Sequence, residues 1–462
     1  RVHKTPNAIM IYTDDSEITY LKAYKMVNYY AKRIIEKTSG KRTRILLNLN
    51  HSYKIIISIL AIIKTGNSYV PIAANANDKR FTDIAGYCNT DIIISDTNRF
   101  EDMRQIVFDT ERYAEFDDDD HYKYSSEDEI YVLFTSGSTG EPKGCSILYS
   151  NLCYIIENMI TISKCDEKSI YSFSTPYVFD VSTTEIYSFV YGASIYVCNT
   201  ADYNNFRKFP EIIKENKITH LALSPSSFKN MLNAYTSEQL TMMSDTLKCV
   251  MVAGEVFKRE IFNEWDKKKW KYRLLNLYGP TEATVYATGY ELKAGEKYET
   301  SIPIGKCLDG CKFFIDNKDE NGIGELVLGG RGIANGYINN KNEQKKRFFM
   351  LNGERYYRTG DLVSLENDLL IYHGRNDDQV QINGIRVELG EIESKIRELD
   401  EVKDAVVFYH KGILVAALIL NSKNNLDTLT LKRLLKNKMP RYMILLWSSF
   451  FVTLVPKNYA VL

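Results

Sequence analysis

The stretch Tyr131 to Gly144, YVLFTSGSTGEPKG, decides how this chain reads. With Ile130 ahead of it, Tyr131, Val132, Leu133 and Phe134 make five β-branched, aromatic or apolar residues, the composition of a buried strand. The run then breaks into Thr135, Ser136, Gly137, Ser138, Thr139 and Gly140, four hydroxyls with two glycines. Such a loop brings backbone N–H groups and hydroxyls up to phosphate oxygens with no Cβ in the way. Lys143 adds a positive charge just beyond it, and a helix-like run, Asn151 to Ile160, follows. A flexible Gly/Ser linker has a similar composition, but linkers are not led in by five strand formers. The Gly-Lys-Ser/Thr ending of a Walker loop is missing.

Upstream of the loop, strand and helix patterns alternate. Ile18 to Tyr20 lead into a helix through Ile35. Ile45–Leu49 is a strand, His51–Lys64 a helix stopped by Gly66, and Tyr69–Ile72 and Ile92–Ile94 are strands. This order predicts a parallel sheet with crossover helices. Downstream, strands at Tyr171–Phe173, Ile218–Leu223, Lys248–Val252 and Tyr272–Leu277 end in small or polar residues. Ligands of open α/β sheets sit outside the carboxyl ends of strands, so these ends are expected to meet at one crevice. From about Ile302, closely spaced glycines and short strands predict a β-rich subdomain. The polar cluster Gly374 to Asp378 is the expected domain boundary. Beyond it, Val380–Val387 reads as a strand or a hairpin. Glu388–Leu399 and Leu429–Lys438 read as helices, and Ala405–Tyr409 and Leu414–Leu420 as strands, which makes a small α+β domain.

Composition narrows the class. A chain of 462 residues is long for one core and predicts two or more domains. With 44% hydrophobic and 26% charged residues it has the make-up of a soluble globular protein. The 59 basic and 59 acidic residues cancel, which argues against nucleic acid held on a basic face. The longest apolar run, Ile55 to Ile63, contains Ser58 and is about half a membrane span. Eight cysteines include no C-x-x-C pair, and Cys307 and Cys311 lack the neighbours of a zinc site. They are expected to be reduced, mostly buried thiols of a cytoplasmic protein. Asp117 to Asp120 reads as a solvated acidic loop. The chain begins at Arg1, as a trimmed piece of something larger would. Tyrosine is frequent, at 33, with no functional reading attached.

Nine motifs in order give these features a family. ITY at Ile18, KTGNSYVPIA from Lys64, LFTSGSTGEPKG from Leu133, FDVS from Phe179 and NLYGPTEAT from Asn276 come first. GELVLGGRGIANGY from Gly324, YRTGDLV from Tyr357, GRNDDQVQINGIRVELGEIES from Gly374 and MPRYMI from Met439 follow. Over nearly the whole chain the sequence resembles the adenylate-forming (ANL) superfamily, most closely the adenylation domains of nonribosomal peptide synthetases. The resemblance implies an α/β fold. A large N-terminal core of parallel sheets with flanking helices and a β-rich subdomain would span 1–376. A small mobile α+β domain would span 377–462, truncated or divergent at its end.

The resemblance also implies a chemistry. A carboxylate attacks the α-phosphorus of ATP, giving an acyl-adenylate and pyrophosphate, and the acyl group then passes to a thiol. Thr135, Ser136, Gly137, Ser138, Thr139, Gly140 and Lys143 would hold the outer phosphates, a step that gathers negative charge and needs donors and a cation. Thr281 and Glu282 are the motif's catalytic pair, Glu282 being similar to the family's Mg²⁺-associated acid. Outside the family, Glu282 would read as a helix N-terminal acid. Gly254, Glu255, Asn276, Leu277, Tyr278 and Gly279 resemble the adenine slot, with Tyr278 on the base. Asp361 resembles the acid that takes both ribose hydroxyls, Tyr372 and Arg375 further nucleotide contacts, and Asp377 the hinge about which the small domain swings.

For the acid substrate, Asp180 resembles the anchor of an α-ammonium. Acids without an amine would leave that carboxylate unpaired. Read locally, Asp180 is a strand-end acid capping the next helix through Ser182. The side-chain pocket implied by the family is Val181, Thr184, Ala222, Met251, Ala253, Leu277, Val285 and Tyr286, which predicts an apolar or aromatic amino acid. The partners implied are a peptidyl carrier protein, with its phosphopantetheine thiol, and a condensation domain, both supplied elsewhere.

The chain departs from the family at its end. The expected Asn-Gly-Lys is missing from Leu454-Val455-Pro456-Lys457-Asn458-Tyr459-Ala460-Val461-Leu462, and Leu445 stands where proline is usual. Lys457 is the candidate for the catalytic lysine through a shifted loop. Gln381 and Asn383 replace basic residues of the small-domain motif. Two further readings follow: a stand-alone acyl- or aryl-CoA ligase, which Asp180 and the Gly374 stretch count against, and a catalytically weak ATP- and amino-acid-binding module without the C-terminal lysine.

Overall fold

The computed structural model describes residues 1–98, 100–108, 113, 121–136, 141–198, 208–268, 270–298, 301–377, 379–382, 385–410, 413–421, 428–436, 438–439 and 451–452. The acidic loop 117–120, the glycines and hydroxyls 137–140, Asn383, Leu445 and Lys457 lie outside the described residues.

The first helix shows how sequence sets structure. Thr19 caps Tyr20–Thr38 by accepting from the Lys22 N–H, and Ser39, at φ 53°, ends it in the left-handed region. Ala23, Met26, Val27, Tyr30, Ala31 and Ile34 recur at helical spacing and form its buried stripe. Strands such as Ile92–Ser95 are buried at every position, as a parallel strand covered on both faces must be.

Among the described residues the core holds three sheets. In a seven-stranded sheet Glu129–Thr135 lies between Lys143–Leu148 and Ser68–Pro71, and Arg44–Asn48, Ile92–Ser95 and Arg104–Val107 continue outward in parallel. In a nine-stranded sheet Arg273–Tyr278, Cys249–Val252, His220–Leu223, Ile170–Phe173, Ser194–Val197 and Ile9–Tyr12 are neighbours, all parallel. A five-stranded antiparallel sheet is built from Cys311–Asp316, Gly324–Gly330, Glu354–Glu366, Phe348–Leu351 and Leu369–Arg375. The expected mixture of parallel sheets and a β-rich region is therefore what the chain forms.

One element was not expected. The glycine-hydroxyl stretch does not run straight into a helix: Lys143–Leu148 is a strand antiparallel to Glu129–Thr135, with Thr135 opposite Lys143. The helix follows at Tyr149–Ser163. The strand hides in sequence because it is buried throughout and opens with Lys-Gly, so it shows no alternation.

Beyond Asp377, Gln379–Ile382 and Ile385–Glu388 pair as a hairpin, and Val402–His410 pairs with Ile413–Leu420. Val387, Ile392, Ile396, Leu414, Leu431 and Met439 belong to an apolar cluster separate from those of the core. None of the eight cysteines, all among the described residues, is in a disulfide; four are buried and four partly buried. No helix of the described residues is long and apolar enough to cross a membrane.

Candidate active site

The carboxyl ends of the parallel strands do meet. Cys249–Val252 opens into Ala253-Gly254-Glu255 and Arg273–Tyr278 into Gly279-Pro280-Thr281-Glu282. Gly254, Glu255, Asn276, Leu277, Tyr278 and Gly279 line one cleft together with Tyr372 and with Gln381 of the C-terminal hairpin. Glu255 accepts from the Ser226 backbone N–H at 3.1 Å, and the Asn276 amide donates to the Pro303 carbonyl at 2.8 Å. Gly279 is glycine for lack of space: a Cβ there would lie 2.5 Å from the Val285 carbonyl oxygen.

At the rim, the Tyr278 hydroxyl donates to Asp361 Oδ2 at 2.5 Å, and Arg375 Nη1 donates to Asp361 Oδ1 at 2.6 Å. Burial pushes the Tyr278 hydroxyl far above its ordinary pKa, and the Asp361 charge adds to that, so it remains a donor. Arg375 also grips both oxygens of Asp377, at 2.6 and 2.9 Å. Burial alone would raise Asp377, but Arg375 and then Arg347 outweigh it and hold the carboxyl at about 2.

The side that carries Asp180 is apolar. Ala222 sits opposite Met251, and Met251 opposite Leu275, in adjacent parallel strands. Alternation then puts Met251, Ala253, Leu275 and Leu277 on one face, where they join Val285 and Tyr286 in a single buried cluster. Thr284 and Val285, both β-branched, adopt φ of 56° and 69°, a costly conformation kept where surroundings enforce it. Thr184 is fully buried, its hydroxyl on the Val181 carbonyl at 2.8 Å. Asp180 precedes the short helix Val181–Ile186 but makes no side-chain cap there. Its Oδ2 instead accepts from Thr281 Oγ1 at 2.6 Å, so the capping reading is replaced by a contact 101 residues away in sequence.

The loop that delivers Asp180 is held at two points. The Tyr177 hydroxyl donates to the Ile72 carbonyl at 2.6 Å, across to the other sheet. Glu185 accepts from the backbone N–H and hydroxyl of Thr175 at 3.0 and 2.9 Å. Glu185 is fully buried, and burial pushes its carboxyl up to about 8. Sequence reasoning missed it and Tyr171, whose hydroxyl donates to Met251 Sδ at 3.5 Å. The available signal was a lone acid inside the buried run Ser182 to Ile186.

At the head of the hydroxyl-rich stretch, Ser136 is buried, and Thr135 Oγ1 is buried without a hydrogen-bond partner among the described residues. An orphaned hydroxyl at the mouth of such a loop suits a phosphate oxygen. Lys143, 2% exposed, lies 3.2 Å from Glu388 and 3.8 Å from Glu343. Two carboxylates thus meet the Lys143 ammonium here, Glu388 coming from the hairpin of Gln379–Ile382 and Ile385–Glu388. Glu282 is fully buried and accepts from the Tyr337 hydroxyl at 2.5 Å. Tyr337, Glu343, Arg347 and Glu388 were also absent from the sequence-based site, because their partners are remote in the chain.

The parallel strand ends thus gather a tyrosine–acid rim and an apolar pocket among residues of the motifs that resemble the adenylate-forming family. A family profile described as AMP-binding enzyme matches residues 1–338. The chain belongs to that family, as an adenylation domain of the kind found in nonribosomal peptide synthetases. It is 32% identical to Zwittermicin A synthase ZmaJ of Bacillus cereus, over 96% of this chain and 88% of that protein. It is 29% identical to Tyrocidine synthase 1 of Brevibacillus parabrevis, over 97% of this chain but only 42% of that protein. Its fold matches NpsA-ThdA, an artificially fused adenylation-PCP di-domain from Klebsiella oxytoca, with a TM-score of 0.83 at 21% identity, over 96% of this chain and 90% of that one.

Proposed function

We propose that the chain activates an amino acid as its aminoacyl-adenylate, releases pyrophosphate, and transfers the aminoacyl group to the phosphopantetheine thiol of a carrier protein. The observation that carries this reading is the Thr281–Asp180 hydrogen bond of 2.6 Å. It sets the acid suited to an α-ammonium beside the Thr281–Glu282 segment on the phosphate side. The substrate carboxylate oxygen forms a bond to the α-phosphorus while the bond to the pyrophosphate oxygen breaks. The carrier thiol then attacks the carbonyl carbon and AMP leaves.

Tyr278 and the cleft residues Gly254, Glu255, Asn276, Leu277 and Gly279 are assigned to adenine, Asp361 to the ribose hydroxyls, and Tyr372 and Arg375 to further nucleotide contacts. Thr135, Ser136 and residues 137–140 are assigned to the outer phosphates. Lys143 joins them by leaving Glu388 and Glu343. Glu282 offers one carboxylate, which fits Mg²⁺ carried on phosphate oxygens, and the metal would neutralise charge developing on the leaving group. Glu185 lies behind the pocket and is held toward its neutral form near pH 7, which supports an apolar or aromatic side chain as substrate. The small domain from 377 is assigned the swing about Asp377 between the two steps, with the carrier protein and a condensation domain supplied by other parts of the assembly, in the cytoplasm.

ATP–pyrophosphate exchange across a panel of amino acids and simple carboxylic acids tests the reading. Exchange with one or a few apolar amino acids is expected. Exchange with fatty or aryl acids alone would overturn it in favour of a CoA ligase, and tight ATP binding without exchange would favour a binding module. Lys457→Ala is expected to slow exchange by orders of magnitude if Lys457 bridges the substrate carboxylate and α-phosphate.

A further inference from the structure

Arg347 ends the helix Lys341–Arg347 and is 8% exposed. Its Nη2 donates to Asp377 Oδ2 at 2.8 Å, and its Nε lies 3.7 Å from Glu343 one turn back. A guanidinium this far from water is costly unless charged partners meet it, and here two do. Asp377 is therefore shared between Arg347 and Arg375. Arg375 gives its other edge to Asp361 Oδ1 at 2.6 Å and to the Thr359 carbonyl at 2.9 Å. Planar forks transmit orientation, because each bidentate contact fixes the plane of its partner. Fixing Asp377 fixes Arg375, and fixing Arg375 fixes one oxygen of Asp361.

Arg347 is itself firmly mounted. Just ahead of its helix, Asn339 accepts from the Gly144 N–H at 3.0 Å and donates to the Pro142 carbonyl at 2.7 Å. Within the helix, Gln344 accepts from the Tyr337 N–H at 2.8 Å, and Glu343 reaches Lys143 at 3.8 Å. The far end of the relay is closed too: a Cβ on Gly360 would sit 2.7 Å from Arg375 Nη2 and Asp377 Oδ2 and 2.9 Å from Arg347 Nη1.

We infer that Arg347 is a positioning residue for the nucleotide: through Asp377 and Arg375 it holds Asp361 in the orientation that accepts ribose hydroxyls. The inference rests on the assignment of Asp361 to the ribose. Its signature is selective. Losing Arg347 weakens recognition of the hydroxyls, while contacts to base and phosphate persist.

The test is the ratio of dissociation constants for Mg·ATP and Mg·2′,3′-dideoxy-ATP, measured by calorimetry on the whole chain. The unaltered protein is expected to prefer ATP, and Asp361→Asn to lose that preference. Arg347→Gln is expected to shrink it by about tenfold, the size of one disturbed charge-assisted hydrogen bond, and Arg347→Lys to restore part of it. A full preference in Arg347→Gln alongside a lost one in Asp361→Asn overturns the inference. A full preference in Asp361→Asn overturns the ribose assignment first, and the inference with it. Should Arg347→Gln fail to fold, Asp377→Asn interrupts the same relay, and an unchanged ratio there is equally decisive against it.

Discussion

The charged rim around Asp361 and the apolar side around Met251 share a wall at Leu277 and Tyr278, yet they are built from opposite materials. At the rim, Asp361, Arg375, Asp377 and Arg347 form a continuous run of ion pairs, each charge answered by another within 3 Å. On the other side, Met251, Leu277, Val285 and Tyr286 pack as core, and Asp180 accepts from the Thr281 hydroxyl. The difference separates two jobs. A rim whose charges already satisfy one another offers fixed geometry to a ligand part common to every substrate turnover. On the proposed function, Asp180 is the carboxylate that an incoming ammonium would meet, and an acid without an amine would forgo that contact, which is selectivity.

The largest effect that could break this contrast lies at Asp180. Asp180→Ala is expected to erase the preference for an α-amino acid over its deaminated analogue, a change on the order of a thousandfold in kcat/KM for exchange. A retained preference would show that the ammonium is read elsewhere. Next in size is Asp361→Ala, which leaves the Tyr278 hydroxyl and Arg375 Nη1 without their acceptor. ATP affinity is expected to fall by about a hundredfold with the KM for the amino acid little changed. A fall in both would mean that rim and pocket are not separate.

The contrast also explains what could be read from sequence. The rim residues Tyr278, Asp361 and Arg375 sit on strands, each within a short local motif that can be read in sequence. Gly279 has to be glycine for the Val285 carbonyl to pass. Arg347 and Glu343 lie outside every motif, and Glu388, though inside the Gly374 stretch, shows nothing there of its partner. Lys143 and Glu388 are 245 residues apart in sequence, and an ion pair between them leaves no pattern around either. The strand Lys143–Leu148 was hidden for a different reason: full burial removes the alternation that reveals a half-buried strand. Among the tyrosines, abundance said nothing, whereas Tyr171, Tyr177 and Tyr286 prove fully or nearly buried around the site.

Gly360→Ala attacks the rim by crowding rather than by removing a charge. Its φ of 76° already disfavours alanine, and the added methyl would press on Arg375, Asp377 and Arg347 together. A loss of about 2 kcal/mol in stability is expected, read as a lower Tm, with weaker ATP binding alongside. An unshifted Tm with normal ATP binding would show that the cluster relaxes freely and that its packing does not set the rim.

The smallest effect sharpens the comparison from the pocket side. Glu185 keeps its proton up to about pH 8 in the folded chain, against an ordinary value of 4.5. Between these values the folded state holds a proton that the unfolded state has released, so stability falls as pH rises through this window and levels off above about 8. Between pH 7 and pH 9 the loss amounts to about 1.4 kcal/mol. Glu185→Gln stays neutral throughout and can still accept from the Thr175 N–H and hydroxyl. Its Tm is therefore expected to match the parent near pH 4.5 and to exceed it progressively toward pH 8, with little further gain above. Exchange with an apolar amino acid should decline as pH rises through about 8 only in the parent, because there an ionising carboxylate appears behind an apolar pocket. Parallel Tm curves would place the Glu185 ionisation at an ordinary value, and the wall behind the pocket would then be as charged as the rim.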